Sequence, residues 1–318
     1  MLRDLLSGKD EQATAISEII AHIRPDILVL QNVDYDYELL ALRALGNQIS
    51  DNGHALPYAF ARRPNTGLAS GVDLDGDGRF GTAKDAHGFG SFSGQGGMAV
   101  LSRYAIDEEG VKDFSDLLWK DLPDANLPMT EDGPFPSLEA QQRLRLAEVG
   151  HWVVPVTIGE RSLQLLTFHS SPPVFDGPED RNGRRNHDQM LFWRQYLDGG
   201  FGPPPDGNFV LAGNANIDPH KGEGRKGAIQ TLLSDPRLQN RVPNRVGKLG
   251  TKAKDGEADT VDWPAPGPGK RRVSYILPSS DLHVTGAGVF WPKGAEPLAQ
   301  LVETASRHRL VWIDIELD

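Results

Sequence analysis

The sequence predicts a layered α/β fold in a single domain spanning residues 1–318, and three observations carry that prediction. An amphipathic helical pattern over residues 10–24 runs through a proline stop into a short, wholly apolar run. Similar runs of strand length recur from there to the C-terminus, with helical patterns between some of them. No linker separates one group of runs from the next, so they read as parts of one core.

The elements follow in order. Ala13, Ile16, Ile19, Ile20 and Ile23 share one side of the first helix, which Arg24-Pro25-Asp26 ends. Ile27-Leu28-Val29-Leu30 lacks the alternation of a half-exposed strand and reads as a strand covered on both faces. Residues 65–97, rich in glycine and aspartate, are loop, and Gly97–Ser102 is a second apolar strand. Residues 107–140 are irregular and carry several prolines. Trp152–Ile158 and Leu163–Phe168 form a strand pair around Gly159-Glu160. A polar loop at 170–186 leads to a helix over Asp188–Leu197, a strand at Phe209–Ala212 and a helix over Lys226–Leu233. After a polar excursion at 241–270 come strands at Val273–Leu277, Leu282–Val289 and Leu310–Ile315.

Composition narrows the function. A formal net charge of −11 argues against avid binding of duplex DNA, though a local basic groove is compatible with it. The absence of cysteine removes disulfide and thiol chemistry. No apolar stretch reaches the roughly 20 residues of a membrane span, and Met1-Leu2-Arg3-Asp4 does not open a signal peptide.

Five segments carry a resemblance. Pro25–Asp34, Gly97–Tyr104, Leu166-Thr167-Phe168-His169, Gly213-Asn214-Ala215-Asn216 and Ser306–Val311 resemble, in this order, the motifs of the endonuclease/exonuclease/phosphatase (deoxyribonuclease-I-like) superfamily. Pro172–Gly183 and Gly288–Pro292 are similar to a bacterial, mostly secreted branch of it. The resemblance implies a four-layered α/β sandwich of two mixed sheets flanked by helices, and an extracellular or periplasmic location. It also implies a first strand bearing an asparagine near the metal. That strand is missing here: either the start is truncated or the strand is lost.

For chemistry, the resemblance implies metal-dependent phosphoester hydrolysis, with Mg2+ holding the phosphate and a histidine–aspartate pair activating water. His169, Asn216 and His308 match catalytic positions. Asn32 stands where the family has a metal-binding glutamate, and Asn214, Ser274 and Arg307 stand where it has aspartates. Neutral groups bring no charge to a dication and an arginine repels it, so the expectation is a degraded metal site with weak or no activity. An active enzyme would have to draw its charge from Asp34, Asp218 or Asp314. Arg184 and Arg185, beside His187 and Asp188, are candidate phosphate-binding groups; the competing reading is a helix start capped by Asn186 with solvated arginines.

A second metal signal is Asp73-Leu74-Asp75-Gly76-Asp77-Gly78, the opening of a calcium loop, with Lys84 at the closing position and Asp85 next to it. Asp73, Asp75, Asp77 and Asp85 are the candidate ligands of a structural Ca2+; the alternative is an acidic surface turn. Two functions stand side by side: an impaired hydrolase of a phosphoester small molecule or nucleic-acid fragment, and a catalytically silent phosphate-binding or scaffold protein of the same fold.

Overall fold

Strands with two apolar faces require cover above and below, and the chain supplies it as four layers. The structure is a computed structural model and describes residues 1–243 and 258–317. Part of the expected 241–270 excursion lies outside the described residues. In chain order the elements begin α1 (Leu2–Ser7), α2 (Glu11–Ile23), β1 (Ile27–Val33), α3 (Leu40–Asp51), β2 (Tyr58–Phe60), β3 (Gly97–Ser102), β4 (Ala105–Ile106) and β5 (Lys112–Asp113). They continue with β6 (Met129–Thr130), β7 (Gly133–Pro134), α4 (Leu138–Arg143), β8 (His151–Ile158), β9 (Arg161–His169), α5 (Arg181–Leu197), β10 (Phe209–Asn214) and α6 (Gly227–Leu233). The last are β11 (Val261–Trp263), β12 (Gly269–Arg271), β13 (Ser274–Pro278), β14 (His283–Phe290), α7 (Ala299–Ala305) and β15 (Leu310–Glu316).

One sheet has the order β13-β10-β9-β8-β4, with β5 also on β8; β9 and β10 are parallel and the other pairs antiparallel. Facing it are two separate pieces, the antiparallel β1-β3-β2 and the antiparallel pair β14-β15, whose strands are joined through α7. Alternation assigns the layers. Met98 and Val100 of β3 meet Leu163 and Leu165 of β9 and Val210 of β10 between the sheets. Ala99 and Leu101 point the other way, to Leu42, Leu45 and Ile49 of α3. Leu166 and Phe168 of β9 point to Phe192, Trp193 and Tyr196 of α5. A second helical group, α2 with α7, closes over Ala15, Ile19, Val302 and Ala305.

Local chemistry sets the helix starts. The Asp10 carboxylate accepts from the Ala13 N–H and opens α2. Asp36, after β1, takes the Leu40 and Ala41 N–H groups at the start of α3. The largest departure from expectation is α5, which begins at Arg181 and not at Asp188. Asn186 therefore lies inside the helix and caps nothing; its Nδ2 donates to the Ser171 and Ala215 carbonyls, 2.7 Å each.

His151 gives a stability prediction. Its ring stacks on Phe192 at 4.7 Å, and both ring nitrogens are buried without a partner. Burial, and secondarily the Arg185 charge, push its pKa down from 6.5 to about 3. The unfolded chain takes up this proton near pH 6.5 and the folded chain only near 3. Stability is thus whole above pH 6.5 and drains as pH falls through that window, by about 2 kcal/mol at pH 5. His151→Phe is expected to remove on the order of 1–2 kcal/mol of the loss between pH 7 and pH 5 in urea unfolding. An unchanged pH dependence would assign the acid sensitivity to other groups.

Candidate functional site

Three neighbouring strand ends build the floor of the site. His169 ends β9, Asn214 ends β10 and Ser274 begins β13, and the ladder places His169 beside Asn214 and Asn214 beside Ser274. Asn214 Nδ2 lies 3.2 Å from His169 Nε2 and 3.3 Å from Asn216 Oδ1, and its Oδ1 accepts from the Asn216 N–H at 2.9 Å. Asn216, at φ 52, adopts the left-handed backbone that asparagine tolerates and anchors its Nδ2 on the Ser170 carbonyl at 2.7 Å. Thr260 Oγ1 accepts both the Val273 and Ser274 N–H groups, fixing the start of β13.

Asn32 joins them from β1. The β1–β3 register slips between Gln31 and Val33, and Asn32 sits in the slip at φ 60. A Cβ on Gly96 would stand 2.8 Å from Asn32 Oδ1, so glycine there makes room for the asparagine. His308 comes from the loop before β15, its ring edge-on to Trp263 at 5.6 Å. Asn32, His169, Asn214, Asn216, Ser274 and His308 all line one cavity. Arg307 is exposed and does not line it.

Both histidines are held neutral. Burial, then the neighbouring His308, push His169 down to about 4; burial, then Arg309, do the same to His308. His169 Nδ1 is buried with no partner. Of the three acids named as substitutes, Asp34 lines the cavity and accepts the Gly96 N–H at 3.0 Å. Asp218 does not line it; its oxygens take the His220, Lys221 and Arg272 N–H groups. Asp314 lines the cavity from within β15. Lys270, unnoticed in the sequence, also lines the cavity, with its ammonium 5.4 Å from the Trp291 ring. Its place after a glycine- and proline-rich loop gave no signal.

The two arginines do not line this cavity. Arg184 donates to Asn126 Oδ1 at 2.6 Å and to the Glu179 carbonyl at 3.0 Å. Arg185 is 5% exposed and braces the core. Asp188, fully buried, accepts from Trp119 Nε1 and the Asn126 N–H, 2.6 Å each.

In the acidic loop, the carboxylates of Asp73, Asp75 and Asp85 come within 4.8 Å of one another. Among the described residues this is the single such group of three or more metal-ligating side chains. Asp77 stays outside it, exposed, accepting the Arg79 N–H at 2.8 Å. Burial raises the Asp73 pKa, but the N–H groups of Gly78, Gly76 and Asp75 outweigh it and leave the carboxyl below its usual range. Lys84 lies 2.8 Å from Asp75 Oδ2, while Asp75 Oδ1 is buried without a partner.

Fold and site together define a class: a four-layered α/β sandwich with histidine and amide side chains gathered at the ends of its central strands. The chain belongs to the Endonuclease/Exonuclease/phosphatase family, whose model matches residues 5–308. It is similar to the structure of an endonuclease/exonuclease/phosphatase family protein from Leptotrichia buccalis, at 17% identity and a TM-score of 0.54, over 96% of this chain and 93% of that one. A family protein from Bacteroides thetaiotaomicron is similar at 13% identity and a TM-score of 0.52, over 96% and 89%. No curated protein matches. The family generally depends on a divalent metal.

Proposed function

We propose that this chain binds a phosphoester at the ends of β9, β10 and β13 and hydrolyses it weakly or not at all. The observation that carries the reading is the row His169, Asn214, Ser274, which holds two neutral side chains and a neutral imidazole. Magnesium takes hard, mostly charged oxygen ligands, so this donor set does not fit it. What survives suits an anion held by hydrogen bonds: imidazole N–H and amide N–H, with the ammonium of Lys270 on the same cavity. The ligand class is a small phosphoester or a nucleic-acid fragment, since the acidic surplus disfavours duplex DNA. Among the described residues no helix is long and apolar enough to cross a membrane. An extracellular or periplasmic location is part of the same proposal, on the likeness of segments 172–183 and 288–292.

The test is an assay of the purified chain on a generic phosphodiester and phosphomonoester with Mg2+, Mn2+ and Ca2+, alongside NMR titration of the His169 and His308 rings with inorganic phosphate. The expected result is ring shifts with little turnover. Turnover that rises with Mg2+ and saturates overturns the loss of hydrolysis; rings that ignore phosphate overturn the binding.

The same reading assigns structural Ca2+ to Asp73, Asp75 and Asp85, with Lys84 displaced from Asp75. At a Ca2+ concentration 100 times its dissociation constant, the native state gains about 2.7 kcal/mol. The melting temperature is therefore expected to rise by several degrees with Ca2+ and to fall back with chelator. An identical melting temperature in both sinks the assignment and leaves Lys84 as the cation of that loop.

A further inference from the structure

The amides at the end of β10 are pinned by backbone groups whose donor or acceptor character is fixed. The Asn216 N–H can only donate, so the atom 2.9 Å from it is Asn214 Oδ1. The Ser170 carbonyl can only accept, so the atom 2.7 Å from it is Asn216 Nδ2, and Asn216 Oδ1 turns back to Asn214. Asn214 Nδ2 therefore faces Asn216 Oδ1 at 3.3 Å and His169 Nε2 at 3.2 Å, with one N–H for each. An amide nitrogen donates and does not accept, so His169 Nε2 must supply a lone pair. A neutral imidazole that does so carries its proton on Nδ1, and a charged one would set N–H against N–H. Burial, which pushes the ring down to about 4, keeps it neutral at pH 7.

Side-chain alternation shows what lies inside the ring. Ile27 and Val29 of β1 face the opposite sheet, and Gln31 is next on that face. Leu163 and Leu165 of β9 face the space between the sheets, and Thr167 and His169 follow them. Gln31 Nε2 donates over 3.4 Å to the Phe168 carbonyl, part of the peptide unit that leads into His169. That carbonyl only accepts, so the Gln31 amide is oriented as well, with Oε1 left over as an acceptor. Gln31 Oε1 and His169 Nδ1 are both buried without a partner, and both residues line the cavity. Thr167 Oγ1, buried without a partner too, is a second acceptor on that face. With its proton on Nδ1, His169 has a donor in want of an acceptor beside an acceptor in want of a donor. Buried polar groups are costly to leave so, and they pair.

We propose that Asn214 and Gln31 are positioning residues for His169, holding its neutral ring in one tautomer with the Nε2 lone pair toward the Asn214 amide and the Nδ1 proton directed inward to Gln31 Oε1. Both bonds exist only in that tautomer, which biases the ring toward it by at least about tenfold. His169 then offers the cavity neither an N–H nor a free lone pair. Of the two rings that line the cavity, His308 is the one left to donate to an anion or to take a proton from a ligand. An aspartate at 214 reverses the arrangement, because a carboxylate accepts and draws the proton to Nε2. The residue at 214 thus selects which histidine meets the ligand. None of this depends on what the site binds.

Long-range nitrogen–proton NMR spectra of the histidine rings at pH 7 test it, since protonated and unprotonated ring nitrogens resonate far apart. The His169 signals are assigned by their loss in His169→Gln. In the unsubstituted chain the expected result is a protonated Nδ1 and an unprotonated Nε2. Asn214→Asp is expected to move Nε2 to the position of a protonated nitrogen. Gln31→Leu is expected to bring both nitrogens to intermediate positions as the second tautomer fills, whereas Gln31→Glu, which keeps an acceptor, retains the Nδ1 proton. A protonated Nε2 in the unsubstituted chain, or two tautomers in comparable amounts, overturns the proposal. A ring unchanged by Gln31→Leu overturns the role of Gln31, and Thr167→Val then shows whether the hydroxyl holds it instead. The unsubstituted chain decides the tautomer by itself, so a variant that does not fold leaves the test intact. No ligand or metal is added, so this result and the phosphate titration fail independently.

Discussion

Arg185→Ala is expected to destabilise the fold by about 3–5 kcal/mol, the range for removing one partner of a buried ion pair. Arg185 Nη1 donates to Glu148 Oε2 at 2.6 Å and Nε to the Leu146 carbonyl at 3.0 Å. Nη2 reaches the carbonyls of His87, Arg145 and Ala147 at 2.6, 2.8 and 2.9 Å. One guanidinium thus satisfies four loop carbonyls that no sheet or helix pairs, and ties residues 145–148 and His87 to α5. Burial lowers its pKa to about 10 against the pull of Glu148, so it is charged at neutral pH. Alanine takes this donor from the His87 and Arg145 carbonyls, while Gln189 and Asn65 still donate to those of Leu146 and Ala147, and it strands the Glu148 carboxylate. Against a total stability of roughly 5–15 kcal/mol that loss is a large share. Urea unfolding checks it, with Arg185→Met beside Arg185→Met/Glu148→Gln. The double variant is expected to regain part of the loss, because the stranded charge is gone. A cost below about 1 kcal/mol for Arg185→Ala would mean that water replaces the guanidinium and that the loop is not held by it.

The same residue shows what the sequence could and could not tell. From Arg185 the buried positions of α5 run through Gln189, Phe192, Trp193 and Tyr196, one helical stripe. Starting the helix at Asp188 hid that stripe and made the arginine look like part of a loop. The signal lay in the spacing, but a buried arginine runs against the rule that charged residues face water. α3 was missed although Leu42, Leu45 and Ile49 keep helical spacing and are buried. The strands were easier, because β1, β3, β8, β9 and β10 are apolar on both faces and stand out without any period. At the site, the motif resemblance named residues from five distant segments, and the structure brings six of them around one cavity. Lys270 and the acceptor role of Thr260 were invisible, since each depends on how β12 and β13 approach the floor. In the acidic loop the alternation of aspartates suggested that Asp77 would converge with Asp73 and Asp75. The backbone turns at Gly76 and Gly78 instead, and Asp85 takes its place in the cluster.

The larger functional prediction concerns charge at the three strand ends. Asn214→Asp puts a carboxylate where an amide now lies 3.2 Å from His169 Nε2. An anion there favours the protonated ring, so the His169 pKa is expected to rise from about 4 toward or above the ordinary 6.5. NMR titration reads this directly, and it moves whether or not any metal binds. Adding Asn32→Glu and Ser274→Asp then supplies three carboxylates facing one cavity, a donor set that suits Mg2+. Hydrolysis of a generic phosphodiester with Mg2+ is expected to rise on the order of 10² to 10⁴-fold over the unsubstituted chain, the range that a positioned base contributes. Equal turnover before and after substitution, with the His169 pKa raised as expected, would show that these positions do not limit the chemistry. The replaced acids would then not be what limits hydrolysis, even though the pocket had been read correctly.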